Sequence, residues 1–256
     1  MLWRWVDVGM NMLFPQAPRC AACQGPLERE GVCLCLPCVN ALPLIRGPVC
    51  TKCGQPLPDG CGGCEESWAF AGLRALGLYQ GALQEMIHWV KYQGKRELGL
   101  ALGELLAGPV REEELLRSCS VIAWVPLHPN RMARRGFDQG ELLARGLARQ
   151  LGRRLLPRST LIRWRDTPSQ TRLDRMERWQ NVDGAFRVEY PQRVRGKAVL
   201  LVDDVLTTGA TCHAAASALL AAGALRVGVC VVALSNPQGR GRKRAAEKLS
   251  PLWQAL

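Results

Sequence analysis

The rhythm of apolar and polar residues changes several times along this 256-residue chain, and each rhythm predicts an element. Residues 2–14 bring Trp3, Val6, Met10 and Leu13 near one face, the spacing of a short amphipathic helix whose stripe suits core packing better than membrane contact. From Trp68 onward AFAGLRALGLY reads as a strand, and GALQEMIHWVKYQGKRELGLALGELLAG predicts two helices broken near Gly94. Pro109 and the run Glu112 to Glu114 lead into a further short helix. VIAWVP (121–126) is a continuous apolar run, the form of a strand buried on both faces. LHPNRMARRGFDQ then reads as a polar loop, and GELLARGLARQLGRRL as a helix with Leu142, Leu143, Leu147 and Leu151 inward. LIRWRDTPSQTRLDRMERWQNVDGAF is too polar for core and reads as a long mobile segment. AVLLVDDVLTTGATCHAAASALLAAGALRVGVCVVAL predicts strand, loop, helix, strand. Strands alternating with helices imply an α/β fold, a parallel sheet flanked by helices.

Cysteines mark off a separate region. Nine of the twelve lie between Cys20 and Cys64, and eight of these form CxxC pairs: Cys20/Cys23, Cys35/Cys38, Cys50/Cys53 and Cys61/Cys64. Two thiolates on a tight turn bind one Zn²⁺, and two such turns complete a tetrahedron. The simplest assignment is sequential, with Cys20, Cys23, Cys35 and Cys38 on one zinc and Cys50, Cys53, Cys61 and Cys64 on another. Crossed pairing and a single occupied site stay open on spacing alone, and Cys33 competes with Cys35. Four protein ligands close a site, so the expected role is structural. The chain then divides into an N-terminal helix (1–17), a cysteine-rich zinc-binding domain (18–66), an α/β domain (68–236) and a basic tail (237–256).

Charge is equally localised. The formal net charge is +12; residues 130–180 hold 13 Arg, no Lys and 5 acids, and the tail adds 5 basic residues against one acid. Guanidinium forks suit bidentate capture of phosphates. No apolar run reaches the ~18 residues of a membrane span. Arg4 and Asp7 interrupt the N-terminal apolar stretch, so it does not read as a signal peptide and a cytoplasmic location is expected.

The segment richest in chemistry begins at 198–202 (AVLLV), read as a buried strand that stops at two adjacent acids, Asp203 and Asp204. Thr207, Thr208, Gly209, Ala210 and Thr211 follow, and then a helix. In an open parallel sheet the ligand crevice lies at the carboxyl ends of the strands. A hydroxyl-rich turn entering a helix offers N–H donors to a phosphate. The acids would repel that phosphate and are better explained as acceptors for a sugar diol, near a Mg²⁺-bound pyrophosphate. Neither GxxxxGK[ST] nor a strand–GxGxxG–helix occurs, so a P-loop or Rossmann site has no support.

VLLVDDVLTTGAT resembles the 5-phosphoribosyl 1-diphosphate (PRPP) motif of type I phosphoribosyltransferases. Together with the CxxC pairs, LYQGALQEMIHWVKYQGKRELG, VPLHPNRMARRGFDQGELLARGLA and DTPSQTRLDRMERWQNVDGAF, the pattern resembles the ComF/GntX family over roughly residues 10–235. The resemblance implies a type I phosphoribosyltransferase-like sheet behind a small zinc ribbon. It also implies a part in natural competence, the import of transforming single-stranded DNA, or in use of DNA as a nutrient. By the same resemblance Asp203 and Asp204 hold ribose hydroxyls, and Thr207, Thr208, Gly209, Ala210 and Thr211 surround the 5-phosphate. Leu127 and His128, supplemented by Arg131, Arg134 and Arg135, take the pyrophosphate, and Gln170, Arg178 and Asn181 fall in the lid. The expected ligands are PRPP with Mg²⁺, besides Zn²⁺. The expected partners are single-stranded DNA and competence machinery such as a DNA-translocating helicase, with no membrane insertion.

If the chain is catalytic, a nucleophile displaces pyrophosphate at the anomeric carbon through an oxocarbenium-like transition state, with positioning and charge stabilisation as the protein's task. The acceptor is unnamed, and no persuasive general base stands out. His88 has apolar neighbours and reads as packed, and helix placement turns His213 away. A glutaminase nucleophile is not expected, because Cys20 belongs to a zinc-type pair. The alternative is a non-catalytic PRPP sensor or single-stranded-DNA-binding accessory protein, with Trp164 and Trp179 either stacking on bases or anchoring the lid.

Overall fold

The computed structural model describes residues 18–27, 33–57, 61, 68–167 and 175–235, the backbone alone over 175–178. The expected helix over 2–14 and the basic tail lie outside the described residues. In chain order the strands are β1 (Gly72–Leu78), β2 (Val121–Trp124), β3 (Arg154–Leu155), β4 (Leu161–Arg163), β5 (Phe186–Val188), β6 (Ala198–Leu206) and β7 (Arg226–Leu234). The helices are α1 (Leu36–Asn40), α2 (Gly81–Tyr92), α3 (Arg96–Leu105), α4 (Ala107–Glu112), α5 (Glu114–Arg117), α6 (Pro129–Arg135), α7 (Gln139–Leu151), α8 (Arg175–Val182) and α9 (Ala210–Ala221).

Among the described residues, five strands form one parallel sheet in the order β1-β7-β6-β2-β3. Its inner strands β6 and β7 are apolar on both faces apart from Asp203, Asp204 and Arg226, as a sheet covered on both sides requires. Strand alternation divides their side chains between two cores. Leu200, Val202, Cys230 and Val232 join Met86, Leu102 and Leu143 of α2, α3 and α7. Val199, Leu201, Val229 and Val231 join Cys212, Ala215 and Leu219 of α9, together with Phe186 of the hairpin. Helices α3 and α7 pack backbone to backbone. A β-carbon on Gly103 or Gly146 would fall on the carbonyl of Leu143 or Leu100, so no larger residue fits at this crossing.

Three sequence expectations are corrected. LHPNRMARRGFDQ contains helix α6, started by Pro129 behind the His128 N-cap and stopped by Gly136 at φ 75°. Residues 161–186 contain β4, α8 and the start of β5, and β4 pairs antiparallel with β5. The strand at Ala198 does not stop before the acids but runs nine residues to Leu206, so Asp203 and Asp204 lie within it and point to opposite faces. In α7, Leu143 and Leu147 are buried while Leu142 and Leu151 are half-buried at its edge.

Candidate functional site

The cysteine-rich segment is built from one knuckle used twice. In the first, Cys20 N–H donates to Gly25 O (2.8 Å) and Gln24 N–H to Cys20 O (2.9 Å). In the second, Cys50 N–H donates to Gln55 O (2.9 Å) and Gly54 N–H to Cys50 O (2.8 Å). Both turns use a left-handed residue, Gln24 at φ 60° and Gly54 at φ 70°. Cys20, Cys23, Cys35 and Cys38 bring their sulfurs within 4.8 Å of one another, and so do Cys50, Cys53 and Cys61; Cys64 lies outside the described residues. Sulfurs bound at ~2.3 Å to a tetrahedral zinc stand about 3.8 Å apart. Cys20–Cys38 at 3.7 Å and Cys23–Cys35 at 3.6 Å fit that cage. The N–H of Gly25 reaches Cys23 Sγ and that of Cys35 reaches Cys20 Sγ, each at 3.4 Å, as donors to thiolates would. Cys33, the competing thiol, is outside the group.

A second site lies at the carboxyl ends of β2 and β6, neighbours in the sheet with Trp124 beside Val202. From β6 the chain crosses through α9 to β7 on one side, and from β2 through α6 and α7 to β3 on the other. Strand order therefore reverses between them, and such a reversal opens a crevice. The loop after β2 is fastened by Asp138, the 2 % exposed N-cap of α7. Its carboxylate accepts from Leu127 N (3.0 Å), Trp124 Nε1 (3.4 Å) and Gly140 N (2.9 Å). Burial raises the Asp138 carboxyl above the usual range, against these hydrogen bonds.

After β6, Thr207 is exposed and Thr208 half-buried, with Thr208 Oγ1 accepting from Ala210 N at 3.4 Å. Gly209 at φ 81° is the N-cap of α9, whose first turn carries Ala210 and Thr211. Asp204, 8 % exposed, faces α2 and α7: it accepts from Lys91 Nζ at 2.8 Å and from Gln139 Nε2 at 3.0 Å. Gln139 Oε1 is in turn held by Arg135, whose guanidinium lies 5.5 Å from the Tyr92 ring centroid. Burial disfavours the Lys91 ammonium, but Asp204 outweighs it and raises the lysine. Asp203 faces the other way, toward Cys212 Sγ at 3.7 Å, and accepts from Asp204 N at 2.8 Å. Burial first and the Asp204 charge second push Asp203 up to about 7.

Cations gather above the crevice. Arg131 donates to Thr167 O at 2.6 Å and Arg134 is exposed. Asn130 Nδ2 reaches Asp166 at 2.6 Å, and His128 Nδ1 lies 3.5 Å from the same carboxylate. Arg163 of β4 is 5 % exposed, rests 5.4 Å from the Phe186 ring centroid and donates to Thr167 Oγ1. Burial first and Arg131 second lower it to about 10, so it stays charged at neutral pH. Asn181 is half-buried, its carbonyl accepting from Arg165 at 3.4 Å. Gln170 and the Arg178 side chain lie outside the described residues.

His213 spends its Nδ1 accepting from Ala69 N (3.1 Å) and meets Trp179 edge-on at 4.9 Å. His88 is exposed against Tyr92 rather than packed. Sequence reasoning missed Lys91, Asp138, Gln139 and Arg163. Asp138, ahead of α7, carried an N-cap signal; nothing local marked the others.

A phosphoribosyl transferase domain model matches residues 138–254, and a double zinc ribbon domain model matches residues 9–68. Fold and site thus define a phosphoribosyltransferase-type domain behind a double zinc ribbon, and the ribbon match and cysteine clusters support zinc binding. The DNA utilization protein YhgH of Salmonella typhimurium is 35 % identical over 219 residues, covering 82 % of this chain and 94 % of that one. Competence protein F of Haemophilus influenzae is 33 % identical over 75 % of this chain and 86 % of its own. Competence protein ComFC of Streptococcus pneumoniae is 27 % identical over 77 % of this chain and 86 % of its own. The chain belongs to the ComF/GntX family that these proteins represent. Among the described residues no helix is long and apolar enough to cross a membrane.

Proposed function

We propose that the crevice binds PRPP with Mg²⁺ and that the protein serves DNA uptake or utilisation, as its relatives' names suggest. One juxtaposition carries this reading: the loops after β2 and β6 lie side by side where strand order reverses, and Asp203 and Asp204 stand near the carboxyl end of β6. The loop 207–211 takes the 5-phosphate, with N–H donors at the start of α9. Asp203 and Asp204 accept the ribose hydroxyls; a carboxylate has about four acceptor positions, so Asp204 keeps room beside Lys91 and Gln139. Leu127, His128, Arg131, Arg134 and Arg135 receive the diphosphate, which brings Mg²⁺ with it, and Gln170, Arg178 and Asn181 belong to the lid. Cys20, Cys23, Cys35 and Cys38, and Cys50, Cys53, Cys61 and Cys64, hold structural zinc in the domain over 18–66. The α/β domain spans 68–236.

The reaction that suits this arrangement is transfer of the phosphoribosyl group. The anomeric C–O bond breaks, pyrophosphate leaves with the bonding pair, and an acceptor nucleophile takes its place. The arginines stabilise the charge that builds on the leaving group. A second, non-catalytic reading draws on the hairpin surface. Trp164 is 52 % exposed with Arg187 5.9 Å from its ring centroid, and Tyr190 is 40 % exposed with Arg193 at 4.1 Å. Aromatic–arginine pairs suit single-stranded DNA. Pyrophosphate release from Mg²⁺–PRPP, assayed over nucleobases and single-stranded DNA, separates the two. Acceptor-dependent release supports the transferase. PRPP binding without release, with DNA affinity whose salt slope shrinks in Arg187→Ala/Arg193→Ala, supports the accessory protein.

A further inference from the structure

The linker entering β1 runs between the second cysteine knuckle and the start of α9. Lys52, inside the Cys50/Cys53 turn, donates Nζ to the carbonyls of Phe70 (2.6 Å) and Trp68 (3.2 Å). On the other side Ala69 N–H is held by His213 of α9 at 3.1 Å. Clamped this way, the Trp68 indole stacks on Phe70 with centroids 4.9 Å apart. Its edge rests on Gly209: a β-carbon there would stand 2.9 Å from Trp68 Nε1. Tryptophan contact and a φ of 81° together explain why this turn needs glycine.

The Trp68 Nε1 atom is buried and has no hydrogen-bond partner among the described residues. Buried donors are rarely left unmatched, and an orphan one asks for an explanation. Here it lies against the turn read above as a phosphate seat. We propose that Trp68 is a phosphate-binding residue, its indole N–H donating to an oxygen of a sugar phosphomonoester held by residues 207–211. Lys52 is its positioning residue. The inference rests on the loop reading in the preceding section and adds to it a donor from outside the sheet. It also gives the second knuckle a task in ligand binding, since Lys52 reaches the linker from between two cysteines.

The test is a titration of the full, zinc-loaded chain, labelled with ¹⁵N at its indoles, with ribose 5-phosphate. Trp68→Phe assigns the Trp68 resonance by its absence and keeps a ring to stack on Phe70. The expected result is a downfield shift of that resonance, saturating together with the calorimetric isotherm. Trp68→Phe should weaken affinity about ten-fold or more, the size of one hydrogen bond to a charged group, and Lys52→Met should weaken it less. If wild type binds but the resonance stays still and Trp68→Phe binds equally, the inference falls while the loop reading stands. If wild type binds no ribose 5-phosphate, the loop reading falls and the inference with it. Should Trp68→Phe not fold, the resonance of the wild type, assigned through sequential backbone connectivity, decides alone.

Discussion

The first cysteine cluster and the crevice are opposite solutions to holding like charges together. Cys20 and Cys38 are 18 positions apart in the chain, and the backbone bonds that close each CxxC turn span five positions or fewer. Asp204, by contrast, is held by Lys91 and Gln139, 113 and 65 positions away, so its setting exists only once α2, α7 and β6 have docked. The cluster's turns are set by near neighbours in the chain, although Cys20, Ala22 and Cys38 also pack into the core shared with Met86, Leu102 and Leu200. A carboxylate network held by tertiary contacts cannot be disturbed without involving the whole sheet.

Removing metal ligands should give the largest effect. Structural zinc contributes on the order of 10 kcal/mol to the folding of such modules. Cys38→Ser should therefore lower zinc content and abolish hydrogen-exchange protection around Cys20–Leu42, while amides of β6 and β7 stay protected. Equal loss in the sheet would erase the contrast. Next comes Lys91→Met, which strands a buried carboxylate. Breaking a buried pair costs roughly 3 kcal/mol at the lower end, fitting partners whose side chains are 21 % and 11 % exposed. Urea unfolding should show that loss, and a change below about 0.5 kcal/mol would mean the pair is no more than an ordinary surface contact.

A pH series sharpens the crevice side. A carboxyl raised to about 7 in the folded chain binds its proton more tightly there than when unfolded. Stability from this group therefore falls as pH rises from about 4 toward 7. Ligand binding should run the other way, because the ionised form accepts ribose hydroxyls: PRPP affinity should rise as pH passes through about 7. The same profile in Asp203→Asn would assign the titration elsewhere. Smallest is the knuckle's own strain. Gln24→Gly should stabilise by about 1 kcal/mol, relieving a left-handed non-glycine residue. Gly54→Ala should destabilise, since its β-carbon would meet Leu73 Cδ2 at 2.6 Å.

This contrast also decides what could be read from the chain before folding. The CxxC turns and the strand–acids–TTGAT–helix order are short-range patterns, and both were legible. So, in principle, was α6: His128, Pro129 and Gly136 are start and stop signals, overlooked because the stretch between them is mostly polar. The hairpin gives a weak signal for a different reason: its strands are three residues each, too short for a period, and β4 buries Arg163 while leaving Ile162 half-buried. Lys91, Gln139 and Arg163 had no local signature at all. Their roles come from charges brought together by sheet topology, which no window of neighbouring residues contains.

The measurement that bears most directly on the crevice is calorimetric titration of Mg²⁺–PRPP into the zinc-loaded chain and into Asp203→Ala/Asp204→Ala. Saturable binding by the wild type, absent from the double variant at unchanged zinc content, is the result expected. Equal affinity in both proteins would contradict it.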